Sequence, residues 1–306
     1  MPTRAPAVAP ATVVTLGRLG FDGAVDARAD RLLTQPKRLA VLLYVLLSQR
    51  GGMLSRDQVI GVFWPDSDES HARNSLRQTL SFLRTCLGPG AVASVGTHAL
   101  TVSASLTCDA TRFEMLLDAH RKEEALKLYG GELLPGFHVD GSHTFTEWLE
   151  ARRRHLAQRA AKAAWDLTAE CEERGEQMGA AFWGKRALSL SPFSESEVQR
   201  VLRLLERVGD YAGALRAFHG LQTALFVEFG VAPSVETARL AAEITQRLHS
   251  EGHHVPALLG TRRSDVERRI AQRRRLHGNW SGIEKRSGKD RRRDARRSGT
   301  DRRAVR

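Results

Sequence analysis

Three features of the sequence predict a mainly α-helical protein with a small α+β unit at its N-terminus. Apolar residues recur at helical spacing from Gln35 to Leu87 and again from Asp109 onward. Short β-like stretches are confined to the residues before Ser103. A spacing of 34 residues recurs in the second half, linking Gly175 to Gly209 and Ala180 to Ala214.

The 306 residues suggest about two domains. With 42% hydrophobic and 27% charged residues, the chain has the composition of a soluble globular protein able to bury real cores. Its longest apolar run, Leu39–Leu47, has nine residues, where a membrane-spanning helix needs about 20. The N-terminus carries Pro2, Pro6 and Pro10 and no apolar signal segment. Cys86, Cys108 and Cys171 are widely spaced and form no CxxC pair, so free thiols in a reducing cytoplasm are expected. The net charge is +12, yet residues 261–306 hold 18 Lys/Arg against 6 Asp/Glu and account for all of it. The remaining residues balance at 29 of each sign, so the high isoelectric point alone is poor support for nucleic-acid binding by the folded part.

Along the chain, residues 1–11 are Ala/Pro-rich and expected to be disordered. A β-like stretch covers Val13–Phe21. Gln35–Arg50 follows as a helix, with Pro36 suited to its first turn, an apolar face of leucines and a stop at Gly51-Gly52. Ser55 and Gln58 have the spacing of a capping box, opening a second helix that ends near Trp64-Pro65. A third helix runs from about Ser70 to Leu87, preceded by Asp66, Asp68 and Glu69 at the positive end of its dipole. Val92–Val95 and Ala99–Ser103 then form a hairpin about Gly96-Thr97-His98.

The third helix carries the functional argument. At ~100° per residue Ala72, Leu76, Leu80, Leu83 and Leu87 share a narrow arc. Arg73, Arg77 and Arg84 cluster on another, with Asn74, Gln78 and Ser81 beyond them, and no acidic residue lies between His71 and Leu87. Strand, helix, helix, longer helix, hairpin is the order of a winged helix-turn-helix, which offers the outer face of its third helix to the DNA major groove. Arginine is suited to guanine and Asn/Gln to adenine. Lys37 and Arg38, at the start of the first helix, are weaker candidates for the phosphate backbone, and His98 at the hairpin tip is a candidate wing contact. An ordinary solvated arginine face is the plain alternative.

From Asp109 the pattern is helical almost throughout, with helices expected near 110–119, 122–130, 144–158, 160–174, 177–190, 195–208 and 211–227. Thirty-four residues is the tetratricopeptide (TPR) period. Ala187 pairs with Leu221 at the same spacing, and Pro192 closes the first unit. Such helix pairs stack into arrays whose concave face binds a peptide or another domain. A helical bundle with chance periodicity is the alternative.

The segment Ala72-Arg73-Asn74-Ser75-Leu76-Arg77-Gln78-Thr79-Leu80-Ser81-Phe82-Leu83-Arg84 resembles the recognition helix of the Streptomyces antibiotic regulatory protein (SARP) family. Cys108–Glu114, Tyr129–Phe137, Glu147–Arg153, Leu188–Pro192 and Glu228–Ser234 resemble that family's bacterial transcriptional activator domain (BTAD), in the family's order. The resemblance covers roughly residues 13–249. It implies an OmpR/PhoB-type winged helix over 12–106 and an activator domain over 107–249, with linker and basic tail over 250–306. It further implies promoter DNA and RNA polymerase as partners, with self-association on DNA. The chain departs from the family at Phe82, where relatives often carry a basic residue, and at the hairpin tip, which lacks the arginine common in response-regulator wings. No GxxxxGK[ST] phosphate loop and no upstream receiver pattern occur.

The tail repeats itself at 11 residues, Arg286–Arg292 matching Arg297–Arg303, and is too poor in apolar residues to build a core. Its charge suits polyanions, but no apolar anchor accompanies it, so a membrane partner is not expected. His138, Asp140 and His143, and the His253-His254 pair, lack partners at metal-ligand spacing. No nucleophile motif such as GxSxG occurs. The sequence therefore predicts a cytoplasmic, sequence-specific transcriptional activator with no enzymatic activity, cofactor or metal. A TPR-type protein scaffold and a non-specific nucleic-acid binder acting through the tail are the alternatives.

Overall fold

A computed structural model describes residues 11–23, 28–48, 53–103, 105–190 and 194–250. The tail, its 11-residue repeat, the Gly51-Gly52 stop, Pro192 and most of the expected disordered start lie outside these residues.

The chain opens with β1 (Ala11–Val14) and β2 (Gly20–Gly23), paired antiparallel. Next come α1 (Asp30–Leu33), α2 (Pro36–Ser48), β3 (Leu54–Ser55), α3 (Arg56–Phe63) and α4 (Glu69–Leu87). The hairpin β4 (Val92–Val95) and β5 (Ala99–Val102) follows, and β6 (Leu106–Cys108) returns to pair parallel with β1. The two sheets have the orders β2-β1-β6 and β3-β5-β4. This is the winged-helix-like arrangement expected, with three corrections. The β-like stretch Val13–Phe21 is a hairpin rather than one strand, and Ala11 already pairs with Gly23 and Leu106. The short elements α1, β3 and β6, too brief to leave a periodic signal, were not foreseen.

Local chemistry explains the helices. Ser55 Oγ accepts from the Asp57 N–H at 3.2 Å, and the Ser55 N–H donates to Gln58 Oε1 at 3.1 Å, the reciprocal capping box expected. In α2 the side chains of Leu39–Leu43 and Val45–Leu47 are buried on all sides, so this helix is the centre of the N-terminal unit.

The second half contains α5 (Asp109–Asp118), α6 (Lys122–Leu128), α7 (His143–Glu173), α8 (Gln177–Leu190), α9 (Glu195–Arg207), α10 (Tyr211–Phe229) and α11 (Val235–Ser250). The separate helices expected at 144–158 and 160–174 are one 31-residue helix, α7. Nothing between Arg152 and Glu173 breaks it, and Ala157, Ala160, Ala161, Ala163 and Ala164 favour continuation. The repeat register is plain. Gly175 and Gly209 follow α7 and α9 with φ of +73° and +74°, the left-handed conformation that suits glycine at a helix end. Ala180, Ala187 and Ala214 are fully buried and Leu221 nearly so. α11 was not expected. Its first turn is held by Glu195, whose carboxylate accepts from the Ser234 N–H (3.1 Å), the Ser234 hydroxyl (2.7 Å) and the Thr237 hydroxyl (2.6 Å). Among the described residues no helix is long and apolar enough to cross a membrane. The three cysteines are free and buried.

One continuous apolar core runs from Val13 to Ala187 and so joins both halves. Three further contacts join them. The buried Asp109 carboxylate accepts from the Thr15 N–H (2.8 Å), the Thr15 hydroxyl (2.6 Å) and the Leu16 N–H (2.9 Å). The Gly17 N–H donates to the Glu132 carbonyl (2.9 Å) and the Leu134 N–H to the Thr15 carbonyl (2.7 Å), beside a Leu16–Leu133 bridge. Gly17 has φ of +84°, and a Cβ there would lie 2.8 Å from the Gly130 carbonyl carbon, so this crossing admits glycine alone. Finally, Ser142 Oγ donates to the Val62 carbonyl (2.8 Å), beside an aromatic cluster in which Phe145 packs at a tilt on Phe63 (centroids 5.2 Å apart) and Trp148 meets Tyr44 edge to face (4.8 Å).

The start of α7 is braced from its other side. Arg152 forms a bidentate pair with the buried Glu114 (2.7 and 3.2 Å). Arg153 donates to the carbonyls of Leu133, Leu134 and Phe137. The motif residues Glu147–Arg153 thus fix the loop that receives Gly17.

Asp109→Ala removes the acceptor of three buried donors on Thr15 and Leu16. It is expected to cost about 3–5 kcal/mol, the range for stripping one partner from a buried charged network. Denaturant unfolding measures this, and a loss under about 1 kcal/mol would contradict the role given to Asp109.

Candidate nucleic-acid interface

The outer face of α4 is set by how its inner face is held. Ala72, Leu76, Thr79, Leu80, Leu83 and Cys86 are buried against the N-terminal core. Arg73, Asn74, Arg77, Gln78 and Ser81 are consequently exposed together. Arg77 forms no hydrogen bond or ion pair with the described residues. Arg73 pairs with Glu69 at 2.5 Å on the open surface. Such i,i+4 pairs are worth about 0.3–0.5 kcal/mol, too little to withhold the guanidinium from a better acceptor.

The N-terminus of α4 is fixed by Asp68, whose side chain accepts from the His71 N–H (3.0 Å) and the Ser70 hydroxyl (2.9 Å), with a further bond to His71 Nδ1. These bonds, led by the His71 N–H, hold the Asp68 carboxyl well below the usual carboxylate range.

Arg84 is placed differently from the other arginines of its face. It is half-buried, its Nε donating to the Val92 carbonyl (2.9 Å) and its Nη2 to the Ser94 hydroxyl (3.2 Å). It straps α4 to β4 and sets the angle of the wing, whose tip carries the exposed His98.

Two clefts flank α4. On one side Lys37 and Arg38, from the first turn of α2, line a cleft with Trp64 and Gln78. Lys37 Nζ lies 5.2 Å from the centroid of the Trp64 ring, and burial lowers its pKa. Arg38 lies 4.2 Å over the ring of Phe82. The aromatic residue that departs from the family pattern therefore orients a cation from another helix. On the other side the second cleft, between α4 and the wing tip, is lined by Arg73, Arg77, Thr97 and His98, and by Arg56 of α3. Arg56 was missed by sequence reasoning. It lies one residue after the cap Ser55, outside the periodic face that drew attention, and only the fold brings it beside α4 and the wing.

Residues 107–245 match the family described as "Bacterial transcriptional activator domain". This stretch lies behind the winged-helix-like unit and covers the part of the chain that resembles the SARP family's activator domain. Among solved structures, Mycobacterium tuberculosis EmbR in complex with a low-affinity phosphopeptide is similar at 20% identity and a TM-score of 0.48. The match covers 78% of this chain and 65% of the EmbR chain. No curated protein matches the chain.

The depressed pKa of Asp68 has a testable sign. Its contribution to the folded state is full above the unfolded Asp value of about 3.9 and is lost as pH falls toward the folded value. Asp68→Ala is therefore expected to lower the melting temperature at pH 7, with the gap to wild type narrowing as pH falls below about 4. Melting curves at pH 7 and at acid pH check this, and an equal gap at both would remove the charge from the explanation.

Proposed function

We propose that this SARP-type regulator binds promoter DNA sequence-specifically, as a cytoplasmic transcriptional activator. Residues 12–106 are the DNA-binding domain, 107–249 the activator domain that recruits RNA polymerase, and 250–306 a linker and basic tail. In this account α4 enters the major groove. Arg77, Asn74, Gln78 and Ser81 reach base edges, Arg73 exchanges Glu69 for DNA, and Lys37 and Arg38 grip phosphate. His98 reaches the neighbouring backbone from the wing. Arg84 acts by keeping the wing in place. Copies assemble side by side on repeated promoter sites. No catalysis, metal or cofactor enters the mechanism.

The observation that carries this reading is the outer face of α4. Five polar side chains project together from a helix whose inner face is fully packed, and residues 71–87 contain no carboxylate. The basic tail adds sequence-independent attraction to phosphate. Specific binding is assigned to the neutral body, so residues 1–250 are expected to shift a promoter fragment against competitor DNA. Binding that disappears with the tail would favour the non-specific alternative instead.

Arg77→Ala is expected to cost about 1–3 kcal/mol of specific binding while leaving the fold intact, since the exposed side chain forms no hydrogen bond or ion pair with a described residue. Anisotropy titration on a selected duplex, with circular dichroism as control, checks it. Unchanged affinity would contradict the placement of α4 in the groove.

A further inference from the structure

The cleft between α4 and the wing tip contains a residue that the base-reading face does not use. Arg56 is the first residue of α3. Its main-chain N–H donates to the His98 carbonyl (2.8 Å) and its Nη2 to the Ser94 hydroxyl (2.7 Å). The guanidinium is thus held at the root of the wing. Its Nε is buried, with no hydrogen-bond partner among the described residues. The residue nevertheless lines the open cleft, and a guanidinium is a permanent cation whose five donors suit an acceptor supplied from outside the chain.

The surroundings say what kind of acceptor. Arg73, Arg77 and His98 converge on the same cleft, with Thr97 as a further hydroxyl donor. Asp57 also lines it, but its carboxylate is exposed, and Glu69 answers Arg73 alone. Cations outnumber these two carboxylates, so the cleft favours an anion. Geometry narrows the choice. A helix in a major groove and a wing at the adjacent minor groove are separated by one sugar–phosphate ridge, which has to pass between them. The space between α4 and the wing tip is this cleft.

We propose that the cleft seats a backbone phosphate of duplex DNA, with Arg56 as its fixed donor. This rests on the DNA-binding reading above and adds a residue and a role to it. Arg56 touches no base. It contributes affinity that is independent of sequence and fixes how far α4 enters the groove. With its side chain held by Ser94 and its backbone by His98, it loses little freedom on binding, unlike the exposed Arg77.

The test uses the full chain with two duplexes, one selected by the protein from a random-sequence pool and one scrambled. Affinity is measured across a salt series. Arg56→Ala is expected to weaken both duplexes by the same factor and to lower the magnitude of the log K against log salt slope by about 0.9, one phosphate contact. Ser94→Ala, which loosens the tether but keeps the charge, is expected to retain the wild-type slope. Circular dichroism confirms that both variants are folded. An unchanged slope in Arg56→Ala, or a loss confined to the selected duplex, overturns the phosphate seat while leaving DNA binding in place. A wild-type chain that binds neither duplex overturns the DNA reading and the seat with it.

Discussion

The Asp109 carboxylate ties the first strand to the helical half of the molecule, and the arrangement around it depends on that tie. It takes up the Thr15 and Leu16 main-chain donors just where β1 stops pairing with β2. Those donors would otherwise be buried without acceptors, each at a cost of about 1–3 kcal/mol. The same stretch then passes against residues 130–134, so closely that Gly17 has no room for a side chain. Arg153 holds the receiving loop by its carbonyls. A charge, a glycine crossing and an arginine clamp form one continuous seam. The neighbouring Cys108 thiol is pushed up to about 11 by burial and by the Asp109 charge, so it is no nucleophile at neutral pH.

This seam gives the helix-turn-helix a rigid support. α3 ends against Ser142, and Phe63 and Tyr44 pack on Phe145 and Trp148 of α7. Aromatic pairs of this kind add about 0.5–1.5 kcal/mol each beyond their burial. The activator domain is therefore a supporting layer of the winged helix rather than a module on a linker, and the expected boundary between residues 106 and 107 falls inside β6. Whatever binds the activator domain acts on a body already fused to α4.

The parts legible in the sequence were those with local causes. Ser55 and Gln58 are three residues apart, and their capping box needs no other partner. Gly175 and Gly209 mark helix ends through their own backbone preference. The inner face of α4 follows from periodicity. What escaped depends on distant partners. Arg84 looks like its neighbours Arg73 and Arg77 on a helical wheel, and only β4 distinguishes it. Arg56 needs Ser94, Asp109 needs Thr15, and α11 needs Glu195. The long helix α7 was divided because two repeat units were expected to be separate hairpins, although no breaker residue demanded it.

The central claim is that α4 with the winged-helix-like unit and the helical half from α5 onward fold as one cooperative unit. Native-state hydrogen exchange on residues 1–250 tests it most directly. The account predicts that the slowest amides of α2 and those of α7 near Leu149 and Leu156 open with the same free energy and respond together to denaturant. Amides of α2 that open at a markedly lower free energy, with α7 still protected, would contradict it.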